Sequence, residues 1–206
     1  KDLLVGQILW VNPARLPLPA LVFALILAFW IGLGPRLGRV GFYALFACAG
    51  LSERVPESQL QALCHGDLRI GNLMFHTTEP RVIGVLDWEL STLGHPLVDV
   101  AFNCQAWRMA SDENGGLLGA PLEELGIPSE EHYLERYYQL AGSTERMTTF
   151  HKAFAMFRGA VGSAGVAMRG EAGNGFLPDA ARVGRKLALA YAQRGLDLIR
   201  EQGEDT

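Results

Sequence analysis

Three oxygen-bearing side chains, Asp67, Asn72 and Asp87, stand at spacings that phosphoryl transfer can use. They fall within CHGDLRIGNLMFHTTEPRVIGVLDWE, residues 64–89. Asn72 and Asp87 are candidate metal ligands. Asp67 is an acid that can orient a hydroxyl nucleophile. A metal site beside an oriented hydroxyl is what moving a phosphoryl group requires, because that chemistry rests on positioning and on neutralising charge.

These groups need elements that bring them together. Asp67 and Asn72 flank a short loop, and Asn72 leads into the apolar run Leu73–Phe75. A polar turn follows, His76-Thr77-Thr78-Glu79-Pro80, and then a second apolar run, Val82–Leu86, that ends on Asp87. The pattern predicts loop, strand, tight turn and strand. Such a hairpin returns Asp87 to the neighbourhood of Asn72. His-Gly-Asp alone is weak, since turns favour Gly and Asp for conformational reasons. An incidental turn is therefore the competing reading. The conjunction of the loop, Asn72, the hairpin and Asp87 favours phosphoryl transfer over it.

Downstream the sequence reads as helices. Pro96 opens one that runs to about Met109, with Asp99 near its positive end. Residues 111–128 are loop-like, with Asp112–Gly116 as the clearest turn cluster. Ser129 caps a helix that carries Glu130 and Glu131 in its first turn and stops near Gly142. A helix over Met147–Met168 has small residues, Ala155, Gly159, Gly162 and Gly165, that allow close approach of another helix. A last helix over Pro178–Glu201 repeats Leu187, Ala190, Tyr191, Leu196 and Ile199 on a helical period. The expected fold is α+β and mainly α.

With 206 residues, the chain can bury one sizeable core, or one domain with an appendage. Hydrophobic residues at 49% and charged residues at 19% exclude wholesale disorder. A net charge of −4 supplies no basic field for nucleic acid. Cys48, Cys64 and Cys104 show no C-x-x-C spacing and cannot all pair, which fits a reduced, cytoplasmic setting. The chain starts at Lys1 rather than Met, as a fragment of a longer protein would.

The first fifty residues differ in kind. From Leu16 to Gly34 there is no charge, and a helix of that length would span roughly 28 Å, close to the hydrocarbon thickness of a bilayer. A membrane span over residues 16–34 is one reading, and would make the protein membrane-anchored. A core helix covered on every side is another. A third is that the segment is foreign to the domain after it. The prolines at 17 and 19 fit a signal peptide poorly. The polar stretch LSERVPESQLQ, residues 51–61, places the organisational boundary near Gly50, dividing an apolar segment 1–50 from a lobe 51–206.

The loop matches H-R-D-x-x-x-x-N of protein kinases as H-G-D-x-x-x-x-N, with Gly66 in place of the arginine. CHGDLRIGNLMF and VIGVLDWELSTLGHPLVDVAF resemble the catalytic core of the aminoglycoside phosphotransferase and choline kinase-like families. HTTEPRVIGVLDWELSTLGHPLVD, GIPSEEHYLERY and AFAMFRGAVGSAGVAMRGEAGN are similar to the phosphotransferase-like domains related to those fused to some acyl-CoA dehydrogenases. The likeness covers about residues 51–203. It implies the helical C-terminal lobe of a protein-kinase-like fold with a small catalytic β-hairpin. It also implies ATP and Mg²⁺ as cofactors and a small-molecule hydroxyl as acceptor. By resemblance, Asp67 is the catalytic acid, Asn72 and Asp87 hold Mg²⁺ on the ATP phosphates, and His65 supports the loop from beneath. Asp99 matches the helix aspartate that tethers the loop backbone, with a plain helix-start carboxylate as its alternative. Arg69 is either a cation against the transferring phosphoryl group or a solvated arginine. Glu89 is either a further metal carboxylate or an ordinary surface acid. His76, His95, His132 and His151 have no ligand spacing, and Trp88, Trp107 and Phe157 read as core.

One departure is large. Kinase-like folds carry a small β-rich lobe with a glycine-rich loop and a phosphate-pairing lysine ahead of the catalytic loop. Here Lys1 is the only lysine before His65, and no alternating strands with a glycine-rich turn appear. The ATP-binding lobe is thus expected to be missing from these residues. Two hypotheses follow: the catalytic and substrate-binding lobe of a small-molecule kinase, or a binding module that keeps the motif without the activity. The subgroup likeness suggests a hydroxyacyl acceptor, carried as a CoA thioester. The acids Glu123, Glu124, Glu130 and Glu131 would equally suit a cationic acceptor, or be solvated helix starts. Oligomeric state is not legible.

Overall fold

The computed structural model describes residues 51, 55–58, 60–175 and 178–204. Residues 16–34, where the membrane reading fell, lie outside them, as does Cys48. Among the described residues no helix is long and apolar enough to cross a membrane.

Four short strands frame the candidate loop. β1 is Ala62–Cys64, β2 Leu73–Phe75, β3 Val82–Val85 and β4 Thr92–Gly94. β2 and β3 form the expected hairpin, pairing Leu73 with Val85 and Met74 with Gly84, with an irregularity after Met74. Its turn is built by His76, whose Nδ1 accepts from the backbone N–H groups of Thr78 and Glu79 at 3.3 and 3.1 Å. β1 and β4 make a second antiparallel pair, Cys64 opposite Thr92, that sequence reading did not anticipate. Because β1 and β4 flank the hairpin in sequence, their pairing closes its base. The segments just after Cys64 and just before Thr92 are thereby held side by side.

The helices make up most of the rest. α1 is Leu97–Asn103, α2 Glu130–Ala141, α3 Thr149–Glu171 and α4 Ala180–Glu204. Ser129 caps α2 by accepting from the His132 N–H, and Gly142 ends it in the left-handed region at φ 60°. The helix expected to run from Pro96 to Met109 instead ends at Asn103 and tightens into a 3-10 turn over Cys104–Arg108. Gln105, buried in that turn, donates from Nε2 to the Ala155 carbonyl at 2.5 Å, and this fastens the tightened segment to α3.

Of the apolar clusters among the described residues, two show how the helices are held. Leu97, Val100 and Cys104 meet Tyr138 of α2, whose hydroxyl also accepts from the Met147 N–H at 2.8 Å. Met156 and Ala160 of α3 meet Tyr191 and Ala192 of α4, with Met109 alongside. Of the small residues expected at a helix contact, Ala155 is buried, and a Cβ on Gly159 would fall 2.7 Å from the Tyr191 ring. Gly162 is exposed with nothing within 4 Å, so it plays no such part. Close approaches of α3 and α4 fall instead at Gly184, where a Cβ would lie 2.6 Å from the Ala167 nitrogen, and at Gly170, where one would lie 2.4 Å from the Ala181 nitrogen. The loop after the 3-10 turn is pinned to α4 by ion pairs of 2.5 Å, Lys186–Asp112 and Arg194–Glu113.

Trp88 is a correction. It lies on the surface, its ring 4.7 Å from that of His65 and its indole N–H on the Val85 carbonyl. Burial in the cluster pushes the Cys104 thiol up to about 12, and burial together with the Asp99 charge pushes Cys64 up to about 11. Both are packing residues rather than nucleophiles.

Candidate active site

The loop from His65 to Asn72 is tied down peptide by peptide. Asp99, buried in the first turn of α1, takes the Gly66 N–H on Oδ1 at 2.9 Å and the His65 N–H on Oδ2. Gly66 sits at φ 87°, a conformation that glycine adopts without steric cost, and one that an arginine there would adopt with difficulty. The next N–H, of Asp67, donates to His65 Nδ1 at 3.2 Å. Since Nδ1 accepts, Nε2 is the protonated nitrogen of a neutral ring, and it donates to the Leu86 carbonyl at 2.7 Å. His65 therefore stitches the loop to the end of the hairpin.

Asp67 and Asn72 are in direct contact. Asn72, buried at the end of the 3-10 turn Ile70–Asn72, donates from Nδ2 to both the carbonyl and Oδ2 of Asp67, at 2.8 and 2.9 Å. Arg69 Nε reaches the same Oδ2 at 3.2 Å. Both side-chain bonds thus fall on one carboxylate oxygen, and among the described residues nothing donates to Oδ1. The Asn72 amide is likewise divided: its nitrogen is spent on Asp67, which turns Oδ1 the other way. The Arg69 head is half-exposed at 54%, so its ion pair is worth under about 1 kcal/mol and is readily exchanged for another anion.

Asp87 comes back beside Asn72, because the Leu86 N–H donates to the Asn72 carbonyl at 2.8 Å. Asp87 itself is exposed and left-handed at φ 67°, ψ 54°, which costs a non-glycine residue on the order of 1 kcal/mol. That turn throws its carboxylate out of the β3 line. Glu89 is exposed two residues on, in the 3-10 turn Trp88–Leu90. Among the described residues no group of three or more His, Cys, Asp or Glu side chains could hold a metal. Asn72 and Asp87 are the residues that could offer hard oxygens to Mg²⁺, an ion that takes waters and phosphate oxygens as its other ligands.

A model of the phosphotransferase enzyme family matches residues 36–147. The chain belongs to that family. Acyl-CoA dehydrogenase family member 10 of Mus musculus is 36% identical over 156 residues, covering 74% of this chain and 14% of that protein. Acyl-CoA dehydrogenase family member 11 of Gallus gallus is 36% identical over 148 residues, covering 69% of this chain and 19% of that protein. A crystal structure from Ralstonia eutropha JMP134, assigned as an aminoglycoside phosphotransferase, superposes with a TM-score of 0.70 at 36% identity. It covers 77% of this chain and 49% of the other. This phosphotransferase-family chain thus spans under a fifth of these two relatives and about half of that solved structure. The fold is kinase-like, and the expected subgroup likeness to acyl-CoA dehydrogenase family members holds.

One group at the phosphotransferase loop escaped sequence reading. Arg158 of α3 donates from Nη2 to the Gly66 carbonyl, and its guanidinium carbon lies 5.0 Å over the Phe102 ring of α1. A signal was present. Arg158 is the only charged residue between Lys152 and Arg169, and a lone charge in an apolar helix must find partners. The acids proposed to draw a cationic acceptor are not a free cluster either, because Glu130 is bound by Arg108 through two bonds of 2.5 and 2.6 Å.

Proposed function

We propose that this chain carries the catalytic and acceptor-binding part of an ATP-dependent phosphotransferase that acts on a small-molecule hydroxyl. The observation that carries the reading is the divided carboxylate of Asp67. Its Oδ2 is held by Asn72 and Arg69, which leaves Oδ1 to take the acceptor hydroxyl. Asp67 would accept the hydroxyl proton as the acceptor oxygen bonds to the γ-phosphorus and the bridging bond to ADP breaks. Bound through Asn72 and Asp87, Mg²⁺ would neutralise phosphate charge. Arg69 would leave Asp67 for the transferring group, at little cost given its exposure. Glu89 would reach the metal through water. His65 and Asp99 would act only by holding the loop.

The acceptor class we favour is a hydroxyacyl group, by analogy with relatives named as acyl-CoA dehydrogenase family members. The setting we favour is the cytoplasm. The test is thermal stabilisation of the chain by Mg·ATP, with Asp87→Ala alongside. The expected result is an upward melting shift in the wild type that requires Mg²⁺ and disappears in the variant. A well-folded wild type that no Mg·ATP concentration stabilises would sink the reading, and mark the chain as a module that keeps the loop without the activity.

A further inference from the structure

Most of the loop's anchors come from nearby sequence or from the α1 aspartate, but one comes from far away. The Gly66 carbonyl is bonded by a guanidinium 92 positions along the chain. We infer that Arg158 is a positioning residue for Asp67, setting the peptide that aims the carboxylate at the acceptor. The role of Asp67 in this inference rests on the phosphotransferase reading.

The geometry is a two-sided clamp. Asp99 takes the N–H groups of His65 and Gly66, and Arg158 takes the carbonyl on the far side of Gly66. The φ of 87° at Gly66 is a conformation glycine visits easily in either sense, so the residue itself does little to hold it. Its rigidity has to come from its partners. With both the N–H and the carbonyl engaged, the Gly66–Asp67 peptide has one orientation, and the Asp67 Cα–Cβ direction follows from it. Arg158 is fixed in turn by Phe102, on the same helix as Asp99, so both jaws of the clamp rest on α1. Charge complements the geometry. Partial burial pulls the Arg158 guanidinium down from its ordinary value, while the carboxylates of Asp99 and then Asp67 support its charge. An arginine remains cationic throughout, so the clamp is not released by pH. A guanidinium also has a planar fork that can serve the loop and other partners at once, which an ammonium does less well.

The test compares Arg158→Met and Arg158→Lys with wild type in the full 206-residue chain. The first readout is amide hydrogen exchange over residues 65–67, with α2 as internal reference. Arg158→Met is expected to speed exchange in the loop at least tenfold and leave α2 unchanged, with Arg158→Lys intermediate. The second is Mg·ATP-dependent phosphorylation of a short hydroxyacyl-CoA. There kcat should fall tenfold or more in Arg158→Met, KM for Mg·ATP should stay within twofold, and Arg158→Lys should recover part of the loss. Loop exchange equal to wild type overturns the inference. So does a loss of protection spread evenly over loop and α2, which would make Arg158 a brace for the whole lobe. If Arg158→Met does not fold, Arg158→Lys alone decides by whether its faster exchange is confined to the loop. Absence of transfer by the wild type counts against the phosphotransferase reading, while exchange still judges the clamp.

Discussion

Asp99→Asn isolates the loop tether from the chemistry it supports. The carboxylate accepts two backbone N–H groups, one on each oxygen, in a site only 8% exposed. An amide keeps one acceptor and turns its NH₂ toward the other N–H, so one charge-assisted bond is lost and two donors face each other. Hydrogen bonds to charged groups contribute about 1.5–3 kcal/mol. The remaining bond also weakens once its acceptor is neutral. The helix-start interaction adds about 0.3–1 kcal/mol. The sum is a destabilisation of about 2–4 kcal/mol, large beside the 5–15 kcal/mol that holds a typical domain. Asp67→Asn is the control, because its carboxylate is partly exposed and its bonds to Asn72 and Arg69 are lateral. It should cost under about 1 kcal/mol, as surface ion pairs do. Urea unfolding measures both, and the denaturant slope should be unchanged if only stability moves. A cost for Asp99→Asn below about 0.5 kcal/mol, or no larger than that of Asp67→Asn, would refute the claim that Asp99 holds the loop.

Two further outcomes follow from packing and burial. A Cβ on Gly184 would press on backbone atoms of Ser163 and Ala167 at 2.7 and 2.6 Å, and overpacking costs about 1–3 kcal/mol against about 1 kcal/mol gained in helix propensity. Gly184→Ala should therefore destabilise in thermal melts, whereas Gly162→Ala, in open space on an exposed face, should stabilise by about 0.5–1 kcal/mol. His151 is buried with Nδ1 accepting from the Thr148 N–H and Nε2 without a partner, and burial chiefly, then the nearby His95, lowers its pKa to about 4. The unfolded chain thus binds a proton near pH 6.5 that the folded chain refuses, so this contribution is full above pH 6.5 and is lost as pH falls toward 4. That loss is on the order of 3 kcal/mol. His151→Gln keeps an acceptor for the Thr148 cap and removes the titration, and His95 and Glu145 nearby are common to both proteins. Its stability should fall less steeply than that of wild type between pH 6.5 and 4, and equal slopes in urea titrations would refute the assignment.

What sequence could and could not show divides along contact range. The β2–β3 hairpin was legible because apolar runs and a polar turn lie within fifteen residues, and α2 because Ser129 and Gly142 announce its ends. The loop triad was legible for the same reason, since Asp67, Asn72 and Asp87 share one short stretch. The misses all depend on partners far off in sequence. β1 and β4 are three residues each, too short for alternation to register, and they pair only because the hairpin between them brings them together. The shortening of α1 reflects Gln105 fastened to a carbonyl 50 positions away. Trp88 reads as core by type, yet its neighbours on the hairpin's end leave it at the surface over His65. Arg158 belongs with these, but with a difference. An isolated charge in a small-residue helix that must pack closely is itself a demand for partners, before any partner is known. The residue that sequence reading passed over is thus the one whose type fitted its surroundings worst, and the structure meets that misfit with the backbone of the loop that carries Asp67.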